Sequence, residues 1–303
     1  MRAYAFTKMH GCGNDYICID QFCPPYVRDP SALARQTADR HTAIGSDGLL
    51  LICPPEDPAN HARMRMYNAD GSEGLMCGNG IRCVGKYLVD HGYVRAAEIR
   101  VETAAGVRIV RPRMDGGVCV GASVEMGKAE FPGRAMPEQL RYGTGNVSGT
   151  ARAGGAGIPF WCGVARYAMT AVSMGNPHAV CFLDRSPDDL PLAELAATAA
   201  SLTAEKGIFP DGVNVEAARI VAKDRIETRV YERGSGETMA CGTGACAVVC
   251  AAVLEGFCAV EQPITVVLRG GEVTVTVHGD LRVTLTGPAA VSFTGVYRIE
   301  EAC

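Results

Sequence analysis

The chain of 303 residues has no apolar run near the roughly 20 residues that a membrane-spanning helix needs. Its opening stretch, Met1 to His10, also lacks the apolar segment of a secretory signal. A cytoplasmic protein with no membrane partner is expected. Basic residues form no patch: 29 Lys and Arg stand against 33 Asp and Glu, for a net charge of −4. That balance argues against a nucleic-acid partner. There is no phosphate-binding P-loop and no strand-Gly-x-Gly-x-x-Gly-helix arrangement, so nucleotide binding has no support. No pyridoxal phosphate or metal-binding motif stands out either, and the expected cofactor and metal are none.

What the chain does have is cysteine, fourteen in all. They are scattered, mostly inside apolar segments. None forms a Cys-x-x-Cys, and Cys241, Cys246 and Cys250 have no His at zinc-ligand spacing. A cytosolic chain of this length needs no disulfide framework, so most of these thiols read as small buried apolar groups. Two are different, because they share a repeated context.

The stretch from Arg65 to Gly80 and that from Arg229 to Gly244 follow one template. At a fixed offset of 164, Arg65, Tyr67, Glu73, Cys77, Gly78 and Gly80 fall on Arg229, Tyr231, Glu237, Cys241, Gly242 and Gly244. The same offset lays Ile44, Asp47 and Gly48 over Ile208, Asp211 and Gly212. A single Cys-Gly-x-Gly could be a tight strand-to-helix turn around an inert thiol. Recurrence at one position of a duplicated template points instead to a paired function.

Each repeat reads strand, Gly/Ser-rich turn, Cys-Gly-x-Gly, helix. The helices are expected over Ile81 to Asp90 and Ala245 to Leu254, closed at Gly92 and Gly256. The second is apolar on nearly every face and should be buried. A further helix starts at Asp29-Pro30, with Asp as N-cap and Pro in the first turn, and its counterpart is the Ala-rich run from Leu192 to Glu205. Strands are expected at 98–102, 106–111 and 117–124, and again at 225–232, 264–268, 273–277 and 281–285. The Gly-rich run 143–157 reads as a mobile loop. The change of domain is expected near Gly127 to Pro132.

A cysteine at a helix N-terminus meets unpaired backbone N–H groups and the positive end of the helix dipole, which favour thiolate and anion binding. Two such thiols suit proton exchange at a stereocentre. One, as thiolate, removes a proton from carbon, and the other, as thiol, returns one to the opposite face. The developing negative charge then needs donors aimed at an adjacent carboxylate.

Five blocks carry a family resemblance: Lys8 to Tyr16, Asn68 to Cys83, Met174 to His178, Gly212 to Glu216, and Glu232 to Gly244. Over these the chain resembles the diaminopimelate epimerase family. The resemblance implies an α/β chain of the α+β type. It would form two pseudo-symmetric domains, each a curved mixed sheet around a central helix, with the active site in the inter-domain cleft. The domains implied are 1–127 with about 289–303, carrying Cys77, and 128–288, carrying Cys241. It further implies cofactor-independent interconversion of L,L- and meso-diaminopimelate, on the route to lysine and peptidoglycan, by a homodimer.

In that reading Cys77 and Cys241 are the two bases. Asn14, Asn68, Asn176 and Asn214 bind the amino and carboxylate groups of the substrate, and Gly78, Asn79, Gly242 and Thr243 supply helix-end donors. Glu232 and Arg233 read the distal ammonium and carboxylate, and His178 is an auxiliary group. Gly48 departs from members that carry a substrate-contacting Gln. Three alternatives stay open: a racemase of proline, hydroxyproline or histidine, a non-catalytic small-molecule binding protein on the same fold, and a thiol redox protein.

Overall fold

A computed structural model describes residues 2–131, 158–162, 165–204, 209 and 211–299. The Gly-rich run 143–157 lies outside these residues. The chain divides into two compact units, residues 1–124 with 286–303, and residues 125–285.

In the first unit, β1 (Arg2–Gly11) and β2 (Asn14–Asp20) form a hairpin, and β2 continues parallel to β3 (Gly48–Cys53). The hairpin turn is Cys12-Gly13, both at positive φ (53° and 77°), as a two-residue connection between right-twisted strands requires. Then β4 (Ala62–Asn68) pairs antiparallel with β3, with the short β5 (Glu73–Gly74), and parallel with β6 (Ile99–Glu102). Strand β7 (Arg108–Asp115) follows antiparallel to β6 and pairs with β8 (Val118–Lys128). Helix α1 (Pro30–Ala38) covers β3 and β4. Asp29 caps it through the Ala32 N–H at 2.9 Å, and Pro30 opens it, as the sequence predicts.

Helix α2 (Gly78–Asp90) is the centre of this unit, with every residue from Gly78 to Leu88 buried. It begins three residues before the expected start at Ile81, because the Cys-Gly-x-Gly is itself the cap and first turn. Cys77 is the N-cap, and its Sγ accepts the Gly80 N–H at 3.4 Å. At the far end Gly92 (φ 73°) closes α2 as expected, with Gly92 N–H on Val89 O and Tyr93 N–H on Leu88 O.

The second unit repeats this plan. Strands β9 (Ile158–Cys162), β10 (Ala165–Ser173) and β11 (Pro177–Phe182) run antiparallel in turn, and β11 is parallel to β12 (Asn214–Ala222). Strand β13 (Arg225–Glu232) pairs with β12, with the short β14 (Gly236–Glu237), and parallel with β15 (Pro263–Leu268). Then comes β16 (Gly271–Val277). The sequence β10-β11-β12-β13-β14-helix-β15-β16 thus copies β1-β2-β3-β4-β5-α2-β6-β7, including both parallel pairings. Helix α3 (Leu192–Ala204) packs on β12 and β13. Helix α4 (Gly242–Leu254) starts three residues before the expected Ala245, for the same reason as α2. Only Thr243 escapes full burial along it, and Gly256 closes it (φ 78°).

Strands β17 (Arg282–Pro288) and β18 (Ala290–Ile299) end the described chain. β18 lies antiparallel along the whole of β1, from Arg2↔Ile299 to His10↔Ala290. The strand expected over 106–111 begins at Arg108 and runs on to Asp115, and that expected over 117–124 runs on to Lys128, where β8 also pairs with β17.

Candidate active site

In the first unit the Cys77 thiol sits where α2 begins. Tyr16 Oη lies 2.7 Å from Cys77 Sγ, and Asn14 Oδ1 lies 3.9 Å from it. A chain of amides fixes this corner. Arg82 is completely buried on α2 and donates to Gly78 O (3.0 Å), Pro288 O (3.1 Å) and Asn79 Oδ1 (2.9 Å). Asn79 therefore turns its Nδ2 to Asn14 Oδ1 at 3.0 Å, and Asn14 turns its own Nδ2 to Asp47 Oδ2 at 2.6 Å. The Tyr16 hydroxyl also donates to Asn14 Oδ1. Every amide orientation in the series follows from the guanidinium at one end and the carboxylate at the other.

Asn68 stands across from Gly48, which in turn pairs with Tyr16, so the three occupy one end of adjacent strands. Asn68 Nδ2 donates to Ser72 Oγ at 2.9 Å. Gly48 has no room for a longer residue on this backbone, since a Cβ would lie 2.6 Å from the carbonyl of Tyr67. Gly78 is the first residue of α2, next to the sulfur.

In the second unit Glu232, Gly242 and Thr243 lie beside Cys241, Thr243 leads on to Asn176 and His178, and Asn214 pairs with His178 at the start of β12. Cys241 caps α4 as Cys77 caps α2, with backbone angles of −114°, 115° against −136°, 121°, and its Sγ accepts the Gly244 N–H at 3.3 Å. Thr243 Oγ1 lies 3.4 Å from the sulfur and accepts from Asn176 Nδ2 at 3.3 Å. His178, fully buried, has Nδ1 2.7 Å from Glu216 Oε1 and Nε2 3.1 Å from Asn176 Oδ1. A Cβ at Gly244 would come 2.7 Å from Glu216 Oε1, so any larger residue there would displace the carboxylate that holds His178. Asn214 accepts the Arg233 N–H (2.8 Å) and donates to Pro177 O (3.1 Å). Exposed Arg233 donates to Asp211 O at 2.6 Å and borders a recess of ≈ 370 Å³ with Gly175, Asn176, Phe209 and Gly212.

A thiol at a helix N-terminus is expected to favour thiolate, and at Cys241 burial reverses that direction. Burial pushes this thiol well above its ordinary range, and the carboxylates of Glu232 and Glu216 add to the effect. The bonds from Thr243 and the Gly244 N–H pull the other way and do not compensate. Glu232 is itself raised by burial, against the pull of its bond from Thr238.

Tyr16, Asp47, Arg82 and Glu216 carry the site's geometry and have no role in the sequence reading. A signal for Tyr16 exists. Asn176 and His178 stand 162 positions after Asn14 and Tyr16, and Tyr16 and His178 occupy like places, each at the start of its parallel pairing (Tyr16↔Gly48 and His178↔Asn214). The fixed offset of 164 hides this match by two residues. Among the described residues, no cluster of three His, Cys, Asp or Glu could hold a metal ion, and no helix is long and apolar enough to cross a membrane.

Solved structures of like fold include epimerases, a probable proline racemase and phenazine biosynthesis proteins. A hydroxyproline epimerase from Agrobacterium vitis superposes with a TM-score of 0.69 at 15% identity, over 97% of this chain and 92% of that one. A phenazine biosynthesis protein from Bacillus anthracis gives 0.67 at 14% identity, over 99% and 100%. At such identities the likeness establishes the fold, a two-domain α+β architecture of the racemase and epimerase type. The sequence goes further. The diaminopimelate epimerase profile matches residues 6–132 and 170–291. The diaminopimelate epimerase of Geobacillus kaustophilus is 42% identical over 298 residues, 98% of this chain and 97% of its own. That of Desulfovibrio desulfuricans is 43% identical over 300 residues, 98% and 99%. The chain belongs to the diaminopimelate epimerase family, and it is an isomerase of the epimerase class.

Proposed function

We propose that this chain interconverts L,L- and meso-diaminopimelate without a cofactor, using Cys77 and Cys241 as a two-base pair. The observation that carries the reading is the matched placement of the two thiols, each the N-cap of a buried helix and each accepting the third N–H of that helix. In the forward direction the thiolate of one cysteine takes the α-proton and becomes a thiol. The other thiol delivers its proton to the opposite face of the carbon and becomes a thiolate, so the enzyme ends with its charges exchanged. The electron pair left on carbon passes into the adjacent carboxylate, where backbone N–H groups of the first turns at Gly78-Asn79 and Gly242-Thr243 would stabilise it.

Asn14, Asn68, Asn176 and Asn214 are assigned to the polar groups of the substrate, and His178 to the support of Asn176. Glu232 and Arg233 have no like-charged counterparts at Asn68 and Ala69 of the first unit, which favours a substrate with a second zwitterionic centre over proline. A cytoplasmic homodimer is part of the same proposal and rests on the resemblance to the family. Incubation with L,L-diaminopimelate in deuterated water under reducing conditions tests it: deuterium should enter one α-carbon as the isomers equilibrate. Absence of incorporation, or equal turnover of proline, would overturn the assignment. Cys77→Ala and Cys241→Ala should each lower epimerisation by at least about a thousandfold with the circular dichroism unchanged. Full activity in either variant would exclude the two-base mechanism.

A further inference from the structure

Tyr16 is buried to 1% exposure, yet its hydroxyl reaches the sulfur at the mouth of α2. It has one proton and two acceptors, Cys77 Sγ and Asn14 Oδ1. Asn14 Oδ1 does not depend on it, because Asn79 Nδ2 also donates there at 3.0 Å. The amide of Asn14 cannot turn over to compete for the sulfur, since its Nδ2 is held by Asp47. The phenol is therefore the adaptable member of the group. When Cys77 is a thiol, S–H can donate to Tyr16 Oη while the phenol donates to Asn14. When Cys77 is a thiolate, rotation of the hydroxyl gives the sulfur a charge-assisted bond at no cost in unpaired groups.

We infer that Tyr16 is a positioning residue for Cys77, its hydroxyl following the charge on the sulfur and stabilising the thiolate. The functional consequence rests on the reading of Cys77 as a base. The phenol itself does not titrate in the working range, because burial and the nearby Cys77, Cys83 and Asp47 push it well above its ordinary value. Among the described residues, the other charged or titratable groups around this corner include Cys83 and Arg82 on α2, Cys12 in the β1–β2 turn, Lys8 on β1, Cys18 and Asp15 on β2, and Asp47 before β3. A Tyr16→Phe change leaves all of them in place. Among the described residues, the second unit has no copy of the device. His178, in the like position, is held by Glu216 and Asn176, and the hydroxyl near Cys241 is that of Thr243 at 3.4 Å. The two thiols of the repeat therefore have unlike supports, one a short-range phenol and the other a more distant alcohol beside two carboxylates.

The test is the pH profile of iodoacetamide alkylation of Cys77 in the full reduced chain without substrate, read peptide by peptide by mass spectrometry. Tyr16→Phe should raise the inflection by about one pH unit and slow Cys77 modification about tenfold near neutral pH. An unmoved or lowered inflection would overturn the proposal. Should Tyr16→Phe not fold, 3-fluorotyrosine at position 16 keeps the ring and makes a stronger donor. It should lower the inflection, and an unmoved one would again overturn the inference. Because no turnover is measured, a shifted inflection in a protein that fails the deuterium test sinks only the epimerase reading. An unshifted one in an active epimerase sinks only the role of Tyr16.

Discussion

Lys8 is a buried cation whose cost must be met by its neighbours. It donates to the Gly45 carbonyl and sits 2.8 Å from Asp15 Oδ2, while Arg40 reaches both Asp15 (2.7 Å) and Asp47 (2.8 Å). Burial alone would raise the Asp15 carboxyl, but the bonds and charges of Arg40 and Lys8 outweigh it and hold the group at about 2 against 3.8. A depressed carboxylate contributes stability that is present above its unfolded value and lost as pH falls toward the folded one. Asp15→Asn should therefore cost about 2 kcal/mol near pH 7, most of it gone by pH 2. Urea midpoints for both proteins at the two pH values check this, and a pH-independent loss would point to packing instead. The same network shows what could not be read from residues in order. Asn14, Asn79 and Cys77 stand out inside motifs, but the partners that orient them, Asp47 and Tyr16, lie 33 and 61 positions away from the groups they hold. Such partnerships exist only once β2, β3 and α2 are packed, so motif and spacing leave them silent.

Helices α2 and α4 were legible in kind and in their glycine closures, because a Gly after the last apolar turn has few other uses. Their starts were not legible, since glycines look like a turn until the cysteine before them is seen to cap the helix. Most strands after the two helices follow their alternating apolar patterns. The parallel pairings of β2 with β3 and β11 with β12 have no local signal, as they join segments some 30 residues apart. Burial on every side also limits what α2 tolerates. Gly85 faces β7, and a Cβ there would lie 2.6 Å from Val110 Cγ1. Gly85→Ala should destabilise by about 1–3 kcal/mol from overpacking, despite the better helix propensity of Ala. Val110→Ala alone should also destabilise by leaving a cavity. The double variant should recover part of the sum, giving a coupling of at least about 0.5 kcal/mol. Strict additivity in denaturant unfolding would mean that the helix moves away from β7 instead.

One plan, built twice, uses the chain unequally. The second unit is continuous, whereas the first takes residues 1–124 and then recruits the C-terminal segment from 286 onward. β18 is the recruited strand, and it covers β1 from Arg2 to His10 while β2 covers the other edge. Phe293 meets Phe6 edge-on at 5.9 Å, and Tyr297 and Ile299 pack on the core that holds Tyr4, Phe6 and Leu49. Without β18, the edge of β1 would expose a row of unpaired N–H and C=O groups and lose these apolar contacts. Among the described residues, the cluster around Met169, Leu195, Val215 and Ala217 in the second unit is drawn from 125–285. A chain ending at Pro288 should therefore lose hydrogen-exchange protection in β1, β2 and β3 by about a hundredfold or more, while β11, β12 and α4 stay protected. Peptide-resolved exchange of the full and shortened chains distinguishes the outcomes. Uniform loss across both units would mean that the second copy of the plan cannot stand on its own core.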